Sequence, residues 1–335
     1  MSRKLKKFVA GVFCACLIAG CGQLQTGPSP QGAGQYTGHD IVVDAFSSNG
    51  KSIQLHFHRS PNRIVAVWQN SVETILALEA GDRIVAALGV PNEECLKPEY
   101  RAIYNKIPLK QFQLLDTEHI LMLEPDFILG WSSTFSEKTT KTTDFWLGRG
   151  INTYFPVNTM SGRKQRTIDD EYKYIIDIGT IVNKREKAEE IVQEMQEKIS
   201  YIQTNTLHRT RPRALIIEQM RDSYMVYGAN SLAGDILRSV NGEIIAPGKN
   251  ISYEEIIEAN PDVIFMVYSE NNYANAEKIT ENFINKAALQ DVNAIKNKRI
   301  YNLPLYVIYG SATRTYDGIC MMAAGLYPDL FGGQK

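Results

Sequence analysis

The chain states one phrase twice. "EHILMLEPDFILGWSS" starts at Glu118 and "EEIIEANPDVIFMVYS" at Glu254, 136 residues apart. Each is a short helical pattern stopped by proline, then aspartate, then an apolar run closing on an aromatic residue and serine. Pro125 and Pro261 end their helices, because proline lacks the amide donor and crowds the preceding turn. Asp126 and Asp262 fall in the turn where a strand begins. A helix–turn–strand unit used twice predicts two copies of one α/β architecture in a single chain.

The flanking sequence extends the duplication. "DIVVDAFSSNGKSIQLHF" carries two β-rich runs around a hairpin turn. "NRIVAVW" is a strand of the kind covered on both faces. "SVETILALEAGD" follows as a helix, with Ser71 placed to cap its start and Gly81 to stop it. Then come the strand "RIVAALG", the repeated unit, the strand "INTYFPV" and a helix over 169–182. The second half replays the order with "PRALIIEQM", "SLAGDILRSVNG", "EIIAPG", the second copy of the unit and "RIYNLPL". Alternating strands and helices predict an α/β fold with two parallel sheets, one per half.

Between the halves, "NKREKAEEIVQEMQEKISYIQTN" places Ala188, Ile191, Val192, Met195, Ile199 and Ile202 at three- and four-residue steps. This predicts one helix, capped by Asn183 and running to Thr206, about 35 Å long at 1.5 Å per residue. It contains neither glycine nor proline, so it suits a rigid strut between two lobes. The expected organisation is an N-lobe over 40–182, the helix over 183–206 and a C-lobe over 207–335.

The first 39 residues stand apart. Arg3, Lys4, Lys6 and Lys7 precede an apolar run from Phe8 to Ala19, too short to span a bilayer but right for an export signal. Ile18-Ala19-Gly20-Cys21 resembles a bacterial lipobox, which implies cleavage after residue 20 and diacylation of Cys21. Two or more acyl chains anchor a protein stably to a membrane. Residues 21–39, rich in Gly, Pro, Gln and Ser, form a flexible tether. Cys14 and Cys16 leave with the signal; Cys95 and Cys320 remain, as a disulfide or as two thiols.

"PNRIVAVWQNSVETILALEAGDRIVAALGV", "LEPDFIL", "IGTIVNKREKAEEIV" and "ISYEEIIEANPDVIF", in this order and with this spacing, resemble the helical-backbone class of ABC-importer substrate-binding proteins. The resemblance runs from about Asp40 to the C-terminus. It implies two α/β lobes on one long helix, with the ligand in the cleft between them. It also implies a ferric siderophore, cobalamin or haem as ligand, and a permease with its ATPase subunits as partner. With the lipobox, it implies a monomer anchored to the outer face of the cytoplasmic membrane. A sensor without a transport role stays open as an alternative.

In open α/β sheets, ligands bind beyond the carboxyl ends of the strands. Those ends give Trp68, Gln69, Trp131, Tyr154 and Arg163 in the N-lobe. In the C-lobe they give Met220, Arg221, Tyr224, Tyr268, Tyr306, Tyr309, Arg314 and Tyr316. Aromatic faces bury flat apolar groups and arginine forks hold anionic oxygens. The set suits a ferric-siderophore chelate that brings its own metal, with no intrinsic cofactor, although each aromatic taken singly also fits core packing. The family's glutamate on each lobe, which docks on the permease, is expected at Glu73 and Glu254, with Glu255 the neighbouring alternative. A carboxylate favouring its helix N-terminus is the plainer reading of either.

Other functions lack their residues. A net charge of −1 gives no basis for a nucleic-acid partner. His39, His56, His58, His119 and His208 are not placed to converge on a bare metal ion. "GANSLAG" has the wrong spacing for a nucleophile elbow, and no phosphate- or dinucleotide-binding glycine loop occurs. The chain is not expected to be an enzyme.

Overall fold

The computed structural model describes residues 40–221, 223–246 and 248–333. The expected signal sequence, Cys21 and the tether lie outside them. Strands β1 (Ile41–Phe46) and β2 (Ser52–Phe57) pair antiparallel as the hairpin turn requires. The N-lobe sheet follows, with β3 (Ile64–Val67), β4 (Ile84–Leu88), β5 (Leu109–Gln111), β6 (Phe127–Leu129) and β7 (Asn152–Tyr154). It is parallel throughout, in the order β5-β4-β3-β6-β7. All four residues of β3 are fully buried, as its unbroken apolar run demands of a central strand. Its isoleucine and two valines each contribute about 1.5–3 kcal/mol relative to exposure. Helices α1 (Gln69–Ala77), α2 (Pro98–Tyr104), α3 (Thr117–Met122), α4 (Thr143–Leu147) and α5 (Ile168–Ile181) complete this lobe.

Helix α6 (Arg185–Thr206) is the expected strut, 22 residues and about 33 Å long. Asn183 does not cap it. Its φ of 55° puts it in the left-handed region, and Lys184 N donates back to Gly179 O at 2.6 Å, so Asn183 ends α5 instead. The turn folds α6 against α5 so closely that a Cβ on Gly179 would lie 2.4 Å from that of Ala188. Ser71 does not cap α1 either: that helix starts two residues earlier, at Gln69. It ends at left-handed Glu79, before Gly81 is reached.

The C-lobe contains β8 (Arg213–Gln219), β9 (Tyr224–Val226), α7 (Leu232–Ser239), β10 (Glu243–Ile245), β11 (Asn250–Ile251), α8 (Tyr253–Ala259) and β12 (Val263–Tyr268). It continues with α9 (Ala276–Ile284), α10 (Asn293–Lys296), β13 (Ile300–Pro304), α11 (Thr315–Leu326) and α12 (Pro328–Phe331). Strands β10, β8, β12 and β13 are parallel, but the sheet as a whole is mixed. The end of β8 turns straight back into β9 as a hairpin, and β11 adds antiparallel to β9.

The repeated Pro-Asp has a mechanical role. Asp126 accepts from the backbone N–H groups of Asn62 and Arg63, each at 2.9 Å, just before β3 starts. Asp262 accepts from Arg213 N at 2.9 Å, at the start of β8. The residue before each proline, Glu124 or Asn260, is left-handed and ends its helix. Each lobe is thus fastened by the same carboxylate latch, at the N-terminal ends of its interior strands and so opposite the cleft.

One apolar core runs through both lobes, taking Ile178 from α5, Met195 from α6, Leu237 from α7 and Met322 from α11. Smaller clusters around Trp146 and Phe283 line the outer faces of the two sheets. No helix among the described residues is long and apolar enough to cross a membrane.

Candidate ligand cleft

The strand ends of the two lobes face one another across an aromatic line. Trp68, immediately after β3, has a φ of 74°, which turns its half-buried ring towards Trp131, two residues after β6. The rings stack at 5.2 Å and 26°. Trp131 also meets Tyr309 of the C-lobe edge-on at 5.3 Å. Asn70 joins them: its Oδ1 accepts from Trp131 Nε1 at 2.8 Å, and its Nδ2 donates to Gly310 O at 2.6 Å. Gly310 has a φ of 52° and lies so close to the N-lobe that a Cβ there would come 2.6 Å from Thr159 Cγ2.

Two cavities open between the lobes on either side of this line. One, of about 500 Å³, is bounded by the β1–β2 turn, Ser132, Ser133 and Thr159, and is rich in hydroxyl groups. The other, of about 350 Å³, is lined by Met225, Tyr227, Leu305 and Ile308, with Glu218 as its carboxylate. Arg166 and Tyr309 line both. The Arg166 guanidinium is held by carbonyls, with Nε on Asn158 O at 2.7 Å and Nη2 on Met160 O at 3.1 Å. No carboxylate among the described residues pairs with it. Burial pushes the Tyr309 hydroxyl above its ordinary pKa, against the pull of the Arg166 charge.

Beside the aromatic line, the N-lobe grips C-lobe segment 310–317 through carboxylates. Glu171 of α5 is fully buried; its Oε2 accepts from Ala312 N at 2.5 Å and its Oε1 from Asn158 Nδ2 at 2.6 Å. Burial pushes its pKa up to about 7, partly offset by these two donors. Glu73 of α1 lies 3.4 Å from Arg314 Nε and accepts from Lys97 N at 2.9 Å and Gln69 Nε2 at 3.1 Å. Burial raises its pKa, opposed chiefly by Arg314. Arg314 pairs also with Asp317 at 3.0 Å and sits over the Tyr306 ring at 4.8 Å. Lys97 reaches Asp317 at 3.4 Å.

These placements correct several expectations. Glu73 is 0% exposed, so it cannot meet a permease; it is an interlobe ion-pair partner. The exposed N-lobe glutamate at the position matching Glu254 is Glu118: each stands in the first turn of its helix, α3 or α8. Glu255 is engaged in a capping box with Ser252, leaving Glu254 as the outward carboxylate. Gln69 is buried and donates to Glu73 and to Cys95 O, away from the cleft. Tyr154 is buried with its hydroxyl on Asp177. Tyr224 is buried in the outer core against Phe283.

Arg163 is exposed and forks onto Asp170 at 2.9 and 3.0 Å. Met220 and Arg221 are exposed and line a separate cavity near Glu254. Tyr268 and Tyr316 are half-buried, the first edge-on to Tyr273 and the second under Lys97. Trp68, Trp131, Tyr306, Tyr309 and Arg314 do come together at the junction. No disulfide joins Cys95 to Cys320.

Arg166, Glu218 and Tyr227 were not anticipated. Arg166 follows Arg163 by three residues in one loop, and sequence gives no sign which of them finds a carboxylate. Glu218 was legible as a charged residue closing the apolar run of β8, one step before the strand's last residue.

A family model described as periplasmic binding protein matches residues 64–307. A crystal structure of a periplasmic binding protein from Veillonella parvula DSM 2008 is similar, with a TM-score of 0.84 and 39% identity, over 88% of this chain and 93% of that one. YvrC of Bacillus subtilis (strain 168), named an uncharacterized ABC transporter substrate-binding lipoprotein, is 22% identical over 99% of each chain. The petrobactin-binding protein YclQ of the same organism is 23% identical over 89% of this chain and 91% of that one. The family match takes in the strands of both lobes that lead into the cleft, from β3 to β13, and the chain belongs to the periplasmic binding protein family, the substrate-binding proteins of ABC importers.

Proposed function

We propose that this protein captures a ferric-siderophore chelate outside the cytoplasmic membrane and hands it to an ABC permease with its ATPase subunits. The observation that carries the proposal is Arg166, a half-buried guanidinium without a carboxylate partner among the described residues, lining both cavities with Tyr309, which in turn meets the Trp68–Trp131 stack. Such a site offers a fork for an anionic oxygen and flat apolar faces for the organic shell of a chelate. The metal arrives inside the ligand, so the protein needs no ligand set of its own. The petrobactin-binding relative supports the same ligand class. Lipid on Cys21 would hold the monomer at the membrane, and Glu118 and Glu254 would meet the permease from the two lobes.

Titration of the full chain in detergent with ferric siderophores, haem and cobalamin, followed by tryptophan fluorescence, tests the ligand class. Trp68 and Trp131 are half-buried at the junction, Trp131 against the cavity-lining Tyr309, while Trp146 is buried in the N-lobe core, so quenching should saturate and leave a Trp146 background. Absence of saturable quenching by any ferric chelate rejects the proposal. A preference for haem or cobalamin replaces the ligand while keeping the carrier.

A further inference from the structure

The charges around the cleft largely cancel in place. Arg163 is paired with Asp170, Arg314 with Glu73 and Asp317, and Lys97 with Asp317. The two charged residues that line the smaller cavity, Arg166 and Glu218, have no ion-pair partner among the described residues. Glu218 stands near the end of β8, half-buried among apolar side chains. Tyr227 donates to its Oε2 at 2.6 Å. Its Oε1 has no hydrogen-bond partner among the described residues. A carboxylate set in an apolar lining costs desolvation free energy, which a donor or a cation recovers. It also repels any anionic ligand group brought against it.

We infer that the cleft selects chelates of low net charge, with Arg166 taking an anionic oxygen and Glu218 taking an ammonium or other hydrogen-bond-donating arm. This rests on the ferric-chelate reading and narrows it from arginine-seeking polyanions to neutral or zwitterionic complexes. One guanidinium and one carboxylate sum to zero, so a triply anionic complex gains one attraction and meets one repulsion. A chelate carrying an anionic edge and a cationic arm satisfies both groups.

The test uses the full chain in detergent and three probes: a neutral ferric trihydroxamate, a ferric trihydroxamate bearing a free ammonium group, and a triply anionic ferric tris-catecholate. The wild type should bind the ammonium-bearing chelate at least about tenfold more tightly than the tris-catecholate. Glu218→Gln keeps an acceptor for Tyr227 and removes the charge. It should cost the ammonium chelate its advantage over the neutral one and improve the tris-catecholate. Tyr227→Phe, which removes the hydrogen bond and keeps the charge, should leave the preference for ammonium in place.

Tightest wild-type binding of the tris-catecholate, or ratios unchanged in Glu218→Gln, overturns charge selection while leaving the carrier reading intact. A Tyr227→Phe variant that reproduces Glu218→Gln overturns it as well, by making Glu218 a positioning group. Binding of none of the three rejects the ferric-chelate reading itself.

Discussion

Replacing Glu171 by glutamine should remove a defined pH dependence from the stability of the protein. Glu171 is fully buried, and burial raises its carboxyl from 4.5 to about 7. The folded protein therefore holds this proton more tightly than the unfolded chain does. The resulting stability is fully present below about pH 4.5 and is lost as pH rises through 7. A shift of this size corresponds to about 3 kcal/mol, with no solvent exposure to weaken it. Glutamine cannot ionise, so its protein lacks this slope. Its amide can accept from only one of the two donors, Asn158 Nδ2 and Ala312 N, which costs about 1–3 kcal/mol at pH 5.

The assay is chemical denaturation at pH 5, 6, 7 and 8 at constant ionic strength. The wild type should start more stable at pH 5 and lose about 2.5 kcal/mol more than Glu171→Gln by pH 8, so the two curves converge. Glu73 is also buried with a raised pKa, but it titrates in both proteins and drops out of the difference. Parallel curves would refute the reasoning. They would mean that Glu171 carries its charge at no cost in the folded state, and that segment 310–317 is not held through a proton-sensitive carboxylate.

Other changes have equally direct readouts. Gly179→Ala places a Cβ 2.4 Å from that of Ala188 and forces α5 from α6, lowering the urea midpoint by an amount corresponding to about 1–3 kcal/mol. Asp126→Ala frees two backbone donors and Asp262→Ala one, at strand starts open to water, and each should cost about 0.5–1.5 kcal/mol. Lying in different lobes, their effects on the denaturation midpoint should add in the double variant. Glu118→Ala with Glu254→Ala should abolish cellular uptake of the ferric chelate and leave its affinity for the isolated protein unchanged; lost affinity would place these residues in the ligand site.

The architecture was legible where periodicity and burial coincide. The buried run of β3 and the apolar stripe of α6 each have one arrangement that satisfies them, and the protein adopts it. What sequence did not reveal is which polar groups find one another across a fold. Arg163 and Arg166 share one loop, yet only Arg163 lies within reach of Asp170, and that contact decides which guanidinium is left for a ligand. Tyr154, Tyr224 and Trp131 all lie at strand ends or just past them. Only Trp131 stays at the junction, because the outer core and the Asp177 hydrogen bond absorb the other two.

The repeated phrase itself contains the N-lobe counterpart of Glu254, which the family resemblance had been taken to place at Glu73. Glu254 stands in the first turn of α8, but α1 starts at Gln69, so Glu73 is its fifth residue, and at the meeting of the lobes its carboxylate is sealed by Arg314 and the Lys97 N–H. The unit beginning at Glu118 is the true counterpart, since its Asp126 latch and left-handed Glu124 match Asp262 and Asn260 position for position. Matching latches fix the same helix at the N-terminal ends of the interior strands of each sheet, and so bring the glutamate eight residues before each latch to the same exposed place. Duplication of the scaffold therefore argues for Glu118, and not Glu73, as the N-lobe glutamate proposed to meet the permease.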